Sequence, residues 1–287
     1  MKLWLVIFAI FSFNVYGEIV NTLGPQKAVD VSHDFFVTLL EKSIVFGAKG
    51  IELPIEVRTK PYSGQGRVLE LLGKDKYYDI VWTANTKERN LSLLPVPFPL
   101  FRGGLGLRGF VIRKQDQDYF SRVFDVEDLK KTVLCQGRHW PDSDILKEAG
   151  LLVEEITHFD AMLAMVSMGR CDAVTLSVFE GAAELQALES DFPDLVFFTE
   201  VVLQYDLVMN FYVNKDNKIL AERVYRGLTE MNETGEFDRL LESHALTKDV
   251  ISAWNSKIHR VIHISNQNRA DIQSQLEYFW PMVSTSR

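Results

Sequence analysis

Pro95, Pro97 and Pro99 stand at alternate positions inside a segment, residues 79–114, that separates two blocks of the chain with similar patterning. Each proline fixes φ and removes an amide donor, which excludes a helix or a central strand at that point. The segment is therefore expected to be an extended surface crossing. Ahead of it, residues 79–83 form an apolar run of strand length. A polar shelf follows through Thr83, Asn85, Thr86, Lys87, Glu88 and Arg89, beside a Trp82 expected to be exposed.

The block before the prolines alternates strands and helices. Strands are expected at 18–23, 51–58 and 79–83. Between them, Asp30 or Ser32 caps a helix with Phe36, Leu39, Leu40 and Ile44 on one face, and Ser63 opens a shorter helix ended by Gly73. Gly64 and Gly66 in that helix's first turn leave two readings open, an anion-binding turn or an ordinary flexible start. After a crossing strand at 109–113 the alternation is repeated. Strands are expected at 132–136, 152–156 and 171–176, with a helix capped by Asp142 or Ser143 and ended by Gly150, and another capped by Thr157 that turns Phe159, Met162, Leu163 and Val166 inward. A helix at 180–189, a strand at 195–199 and a second crossing at 205–214 follow. Leu220, Val224, Leu228 and Met231 then share one helical face, a further helix is expected at 237–243, and the aromatic stretch 276–282 is expected to dock. Two alternations predict an α/β chain of two mostly parallel sheets flanked by helices. Two crossings return the tail to the first sheet. Ligands of such sheets bind beyond the carboxyl ends of the strands.

The N-terminus adds an address. Lys2, the apolar stretch 3–13, and Val15 and Gly17 near its end read as a cleaved signal peptide over residues 1–17. The apolar run is shorter than the roughly 20 residues a membrane span needs. A formal net charge of −8 makes nucleic acid an unsuitable partner. For a chain bound for an oxidising compartment, two cysteines are few. Cys135 closes one expected strand and Cys171 opens another, which separates them if the strands are parallel, so free thiols are expected over a disulfide.

Several motifs carry less than they spell. Gly104, Gly106 and Gly109 fit the G-x-G-x-x-G dinucleotide fingerprint, but a proline loop precedes them and an apolar strand follows, so they are expected to act as a hinge. His259 and His263 are four apart with no third ligand nearby, and Met162, Met165 and Met168 fit a helix core. The charged stretch 184–194 reads as a solvated face. Ser143 near His139 and Asp142 is better used as a helix cap than as a nucleophile. No cofactor is called for.

Taken together, Ser63, Gly64, Gln65, Gly66 and Arg67; the strand from Asp79 to Trp82 and Thr83; Thr86 and Arg89; Pro99 and Leu100; Gly106 to Arg108; Gln136 through Trp140, Pro141 and Asp142; Gly169 to Asp172; and Phe211 to Lys215 follow one another in an order that resembles the family 3 periplasmic solute-binding proteins. The resemblance covers nearly the whole chain after residue 17. It implies a type II binding fold whose two lobes close on a solute, with 18–105 and 212–287 forming lobe 1 and 106–211, including the crossings, forming lobe 2. It also implies that Thr86 and Arg89 grip a ligand carboxylate, for which a guanidinium fork is suited. Two departures stand out. The shelf leads into Leu93 and the prolines where the family has a phenylalanine-serine sequence, and Thr175, Leu176 and Ser177 stand where a related branch carries an arginine.

The expected function is capture of a small, anionic or carboxylate-bearing solute in the periplasm, by a monomer without catalytic activity, for a membrane permease of the ABC type. Trp82 and Trp140 would form apolar walls, and Thr83, Thr86, Arg89, Arg108, Gln136 and Arg138 polar anchors, with Asp142 or Glu180 taking a ligand cation. The alternatives are a sensor serving a membrane receptor, or a lyase or dehydratase using His139 or Glu180.

Overall fold

Apolar strands alternate with amphipathic helices along a computed structural model that describes residues 18–27, 29–50, 54–74, 77–255, 260–267, 269–270 and 275. The expected signal peptide, His259 and the stretch 276–282 lie outside the described residues. The first block contains β1 (Glu18–Leu23), α1 (Val31–Phe46), β2 (Ile55–Lys60), α2 (Gln65–Lys74), β3 (Ile80–Ala84), α3 (Lys87–Ser92) and β4 (Leu93–Pro95). The second contains β5 (Leu107–Arg113), α4 (Gln117–Phe120), β6 (Val133–Gly137), α5 (Pro141–Glu148), β7 (Leu152–Ile156), α6 (Phe159–Ser167), β8 (Ala173–Ser177), α7 (Gly181–Gln186) and β9 (Leu195–Gln204). The chain ends with β10 (Met209–Asn214), α8 (Lys218–Glu233), α9 (Glu236–Ser243), α10 (Val250–Asn255) and β11 (Arg260–His263). No described helix is long and apolar enough to cross a membrane.

Asp30 starts α1 by accepting the His33 amide at 2.9 Å. The helix buries Phe36, Leu39, Leu40 and Ile44, and α8 buries Leu220, Val224, Leu228 and Met231 in the same core. β1 and β2 pair in parallel, and β3 joins them where the Asp79 amide donates to the Asn21 carbonyl at 2.8 Å. β10 runs antiparallel between β3 and β4, so the chain does return to the first block after the second crossing.

The second sheet has the order β11-β9-β5-β8-β6-β7. β6 pairs in parallel with both β7 and β8, as the alternation predicts. β5 is antiparallel to β8 and β9, because the crossing strand enters the sheet itself. The sheet is therefore mixed. β11, in the segment assigned from sequence to the first lobe, runs parallel to β9 at this sheet's edge.

Local details depart from the sequence reading where one residue overrides another. Pro141 takes the first position of α5 behind an N-cap at Trp140, so Asp142 and Ser143 fall inside the first turn, and the Ser143 hydroxyl donates to the Gly137 carbonyl at 3.2 Å. His158 precedes α6 in place of Thr157, and α2 runs through Gly73 to Lys74. The proline segment is not wholly a surface crossing. β4 is an edge strand, Pro97 is exposed, and Val96, Phe98 and Leu100 point into the core. The glycines after it make close contacts. A Cβ on Gly106 would lie 1.8 Å from the Tyr205 carbonyl oxygen, so only glycine lets the two crossings touch.

Cys135 and Cys171 form a disulfide, contrary to the expectation of free thiols. β6 and β8 are parallel but adjacent, and β8 begins only at Ala173. Cys171 sits in the preceding turn, its amide bonded to the Met165 carbonyl, which brings the two Cα atoms to 5.8 Å. The bridge spans a sequence separation of 36 residues. Replacing both cysteines by alanine is expected to lower the unfolding free energy by about 3 kcal/mol. Equal urea midpoints for the variant and the oxidised wild type would refute a stabilising bridge.

Candidate functional site

A cavity of about 250 Å³ opens between the two sheets, beyond the carboxyl ends of their strands. Trp82, Thr83 and Ala84 from the end of β3, Tyr62 after β2, Trp140 and Asp142 after β6, Thr157 to Asp160 after β7, and Glu180 after β8 line it. Leu23 at the end of β1, Gln26, Lys27 and Asp30 in the following turn, and Ser32 at the start of α1 close it. Each sheet thus contributes the ends of several strands, where short connections leave side chains free to face the gap.

Trp82 is half-buried, not exposed, because its ring stacks on Phe36 at a centroid distance of 5.0 Å. Trp140 faces it from the second sheet. His139, with φ at 68°, turns the chain so that the Trp140 indole folds over Gly137, where a Cβ would meet the ring at 2.3 Å. The two tryptophans give the cavity apolar walls.

Arg108 forms its charged floor. β5 carries this residue into the junction at 4 % exposure, and its guanidinium pairs with Asp142 at 2.5 Å. Its Nε donates to the Tyr205 hydroxyl at 3.1 Å, the Tyr205 hydroxyl donates to Asp142, and Glu180 lies 4.0 Å away. Burial works against the Arg108 charge, but Asp142, Tyr205 and Glu180 outweigh it and hold the guanidinium above its ordinary value. Burial pushes the Tyr205 hydroxyl well up, helped by Asp142. Burial likewise pushes Glu180 up to about 7, with Glu184, Asp142 and Asp30 adding to the rise and Arg108 opposing it.

The structure brings six of the ten sequence candidates together: Trp82, Thr83, Arg108, Trp140, Asp142 and Glu180 line the cavity. The other four stand apart from its lining. Thr86 caps α3, accepting the Arg89 amide at 3.2 Å. The Arg89 guanidinium turns inward to Thr83 (2.8 Å), the Ala84 carbonyl (2.7 Å) and Gln65 (2.8 Å), and reaches the His139 carbonyl of the other sheet at 2.9 Å. Burial lowers it to about 10. Gln136 is fully buried and donates to the carbonyl and hydroxyl of Thr175, while Arg138 is exposed on the surface.

Other lining residues were not picked out from sequence. Glu184, read as part of a solvated face, is 8 % exposed and binds Lys27 and Ser32. The signal for it was its spacing: Glu184 lies four residues after Glu180, one turn on along the same face. Lys27 and Phe159 carried no polar pattern that separates them from loop and core residues. Among the described residues no group of three or more His, Cys, Asp or Glu is arranged to hold a metal ion.

The sequence matches no protein-family model, and no curated protein matches it. Solved structures do resemble the fold. A mutant arginine-binding protein, ArgBP from T. maritima, is 21% identical at a TM-score of 0.57, with 79% of this chain and 94% of that one covered. The amino acid ABC transporter substrate-binding protein AbpA from Streptococcus pneumoniae, bound to L-arginine, is 17% identical at a TM-score of 0.58, with 83% and 95% covered. A histidine kinase sensor domain with similarity to periplasmic binding proteins is 14% identical at 0.57, with 79% and 95% covered. The chain therefore has the two-lobe fold of the substrate-binding proteins, with its cavity at the junction between the sheets.

Proposed function

We propose that this chain is an exported solute-binding protein that closes on a small amino acid carrying a cationic group, for delivery to a membrane permease of the ABC type. The observation that carries this reading is the charge lining the cavity. Asp30, Asp142, Asp160, Glu180 and Glu184 face Lys27 and Arg108, an acidic excess unsuited to a purely anionic solute. Arg108 is already paired with Asp142, which leaves Glu180 as the acid best placed to receive a solute ammonium. The sequence reading of an anionic or carboxylate-bearing solute thus narrows to an amino acid, whose carboxylate is accompanied by an ammonium. The arginine bound by the S. pneumoniae protein supports the same class. Trp82 and Trp140 would flank the apolar part of the solute.

In this reading the lobes divide at the crossings. Residues 18–105 with most of 212–287 form one, and 106–211 with β11 the other. Solute that contacts both lobes shifts the hinge population toward the closed form. A sensing role, supported by the likeness to a kinase sensor domain, uses the same closure with a receptor in place of a permease.

A catalytic reading rests on Glu180 alone, a carboxyl held near neutral beside Arg108 inside the cavity. It is separated from binding by recovering the solute. Incubation followed by mass spectrometry is expected to return it unchanged, and a converted product would move the assignment to a lyase or dehydratase.

Two further outcomes are expected. In a thermal-shift series, arginine, lysine or glutamine raises the melting temperature while succinate and glutarate do not, a site at 100 times its Kd gaining about 2.7 kcal/mol. A response to the dicarboxylates with none to any amino acid would refute the cationic preference. The second concerns Glu180. Its folded pKa lies above the ordinary 4.5, so the folded state holds the proton more tightly and stability falls as pH rises from about 4.5 through about 7. Ionising it costs about 3 kcal/mol. Glu180→Gln is expected to remove that loss, so that denaturation midpoints at pH 5 and pH 8 converge; an unchanged pH dependence would place the titration elsewhere.

A further inference from the structure

Lys27 belongs to the turn between β1 and α1, yet its ammonium leaves that turn and crosses to the second sheet. It pairs with Glu184 on α7 and stands 4.9 Å from the centroid of the Phe159 ring on α6. The second oxygen of Glu184 accepts the Ser32 hydroxyl at 2.5 Å. The side chains of Lys27 and Glu184 are 13% and 10% exposed, and all four residues line the cavity. A carboxylate and an aromatic face meeting one ammonium, with a hydroxyl holding the carboxylate's other oxygen, form a receptor for alkylammonium groups.

We propose that Glu184, Ser32 and Phe159 form a cation subsite of the cleft and that Lys27 is its built-in occupant, a specificity-determining residue that competes with any second cation on the solute. A lysine suits this role. Its charge rides on a flexible four-carbon stem, so the ammonium can leave the subsite without disturbing β1 or α1. A solute with one ammonium leaves the clasp in place, and Lys27 helps to hold the halves together around it. A solute with a second ammonium must displace Lys27. The subsite's selectivity rests on the amino-acid reading above; the existence of the subsite does not.

Lys27→Ala vacates the subsite while leaving its three walls, and n-butylammonium chloride is the probe that refills it. Relative to sodium chloride at the same ionic strength, n-butylammonium is expected to raise the melting temperature of Lys27→Ala by roughly 2 °C or more. Wild type and the Lys27→Ala/Glu184→Gln double variant should not respond. Equal responses in all three proteins, or none in Lys27→Ala, overturn the subsite.

Calorimetry then reads selectivity. The affinity ratio of lysine to glutamine should rise about tenfold in Lys27→Ala, and an unchanged ratio overturns the role of Lys27. Should Lys27→Ala fail to fold, Glu184→Gln carries the test, because it keeps the shape of the clasp. It is expected to lower the lysine-to-glutamine ratio, and no change again overturns the proposal. A butylammonium response without binding of any amino acid upholds the subsite and refutes the amino-acid function. The converse result upholds the function and refutes the subsite.

Discussion

Arg108 is a fully charged group placed where two crossings meet, and the junction is built around neutralising it. Burying a lone guanidinium is prohibitive, so Asp142 must stand against it, with Tyr205 holding both. Those three residues come from β5, α5 and the start of the second crossing. Their union fixes how the crossings sit relative to the second sheet. Gly106 supports the same geometry by removing the side chain that would hold the crossings apart. Loss of one partner from such a buried pair costs about 3–5 kcal/mol, more than most single contacts in a protein can offset.

That arrangement also sets the electrostatics of the cleft. With Asp142 committed to Arg108, burial pushes the Glu180 carboxyl up, Arg108 at 4.0 Å opposes the rise only in part, and Glu184, Asp142 and Asp30 add to it. The result is a carboxyl poised near neutral, facing a cavity walled by two indoles. A cation beside such a group would draw it back to its charged form, because ion pairing returns the stabilisation that burial removed. This is the basis of the cationic preference in the proposed function.

Contacts made by the protein itself span the gap between the sheets, Ser32 to Glu184 among them. Arg89 reaches the His139 carbonyl, and Lys27 reaches Glu184. Neither needs a solute. In the proposed function, each would lower the share of the closing free energy that bound solute must supply. Arg89, for which the family resemblance implies a carboxylate clamp, has donors occupied by Thr83, Ala84, Gln65 and His139.

The repeated alternation of strands and helices, a cap for α1 at Asp30 or Ser32 and the strand character of β5 were all legible in the chain, because propensity, capping and apolar periodicity act over a few neighbouring residues. Half-legible was the site: Trp82 and Thr83 could be named because strand ends are where such sheets present side chains, and Arg108, Trp140 and Asp142 fall in the motifs that carry the family resemblance. Tertiary structure alone decided the rest. It made neighbours of β6 and β8, so Cys135 met Cys171. It drew Glu184 out of an apparently solvated face to meet Lys27, 157 residues away in the chain. It also turned Gln136 toward Thr175 and left Arg138 outside. Pairings across such separations depend on sheet order and on which charges the junction must neutralise, and neither is written in the residues adjacent to them.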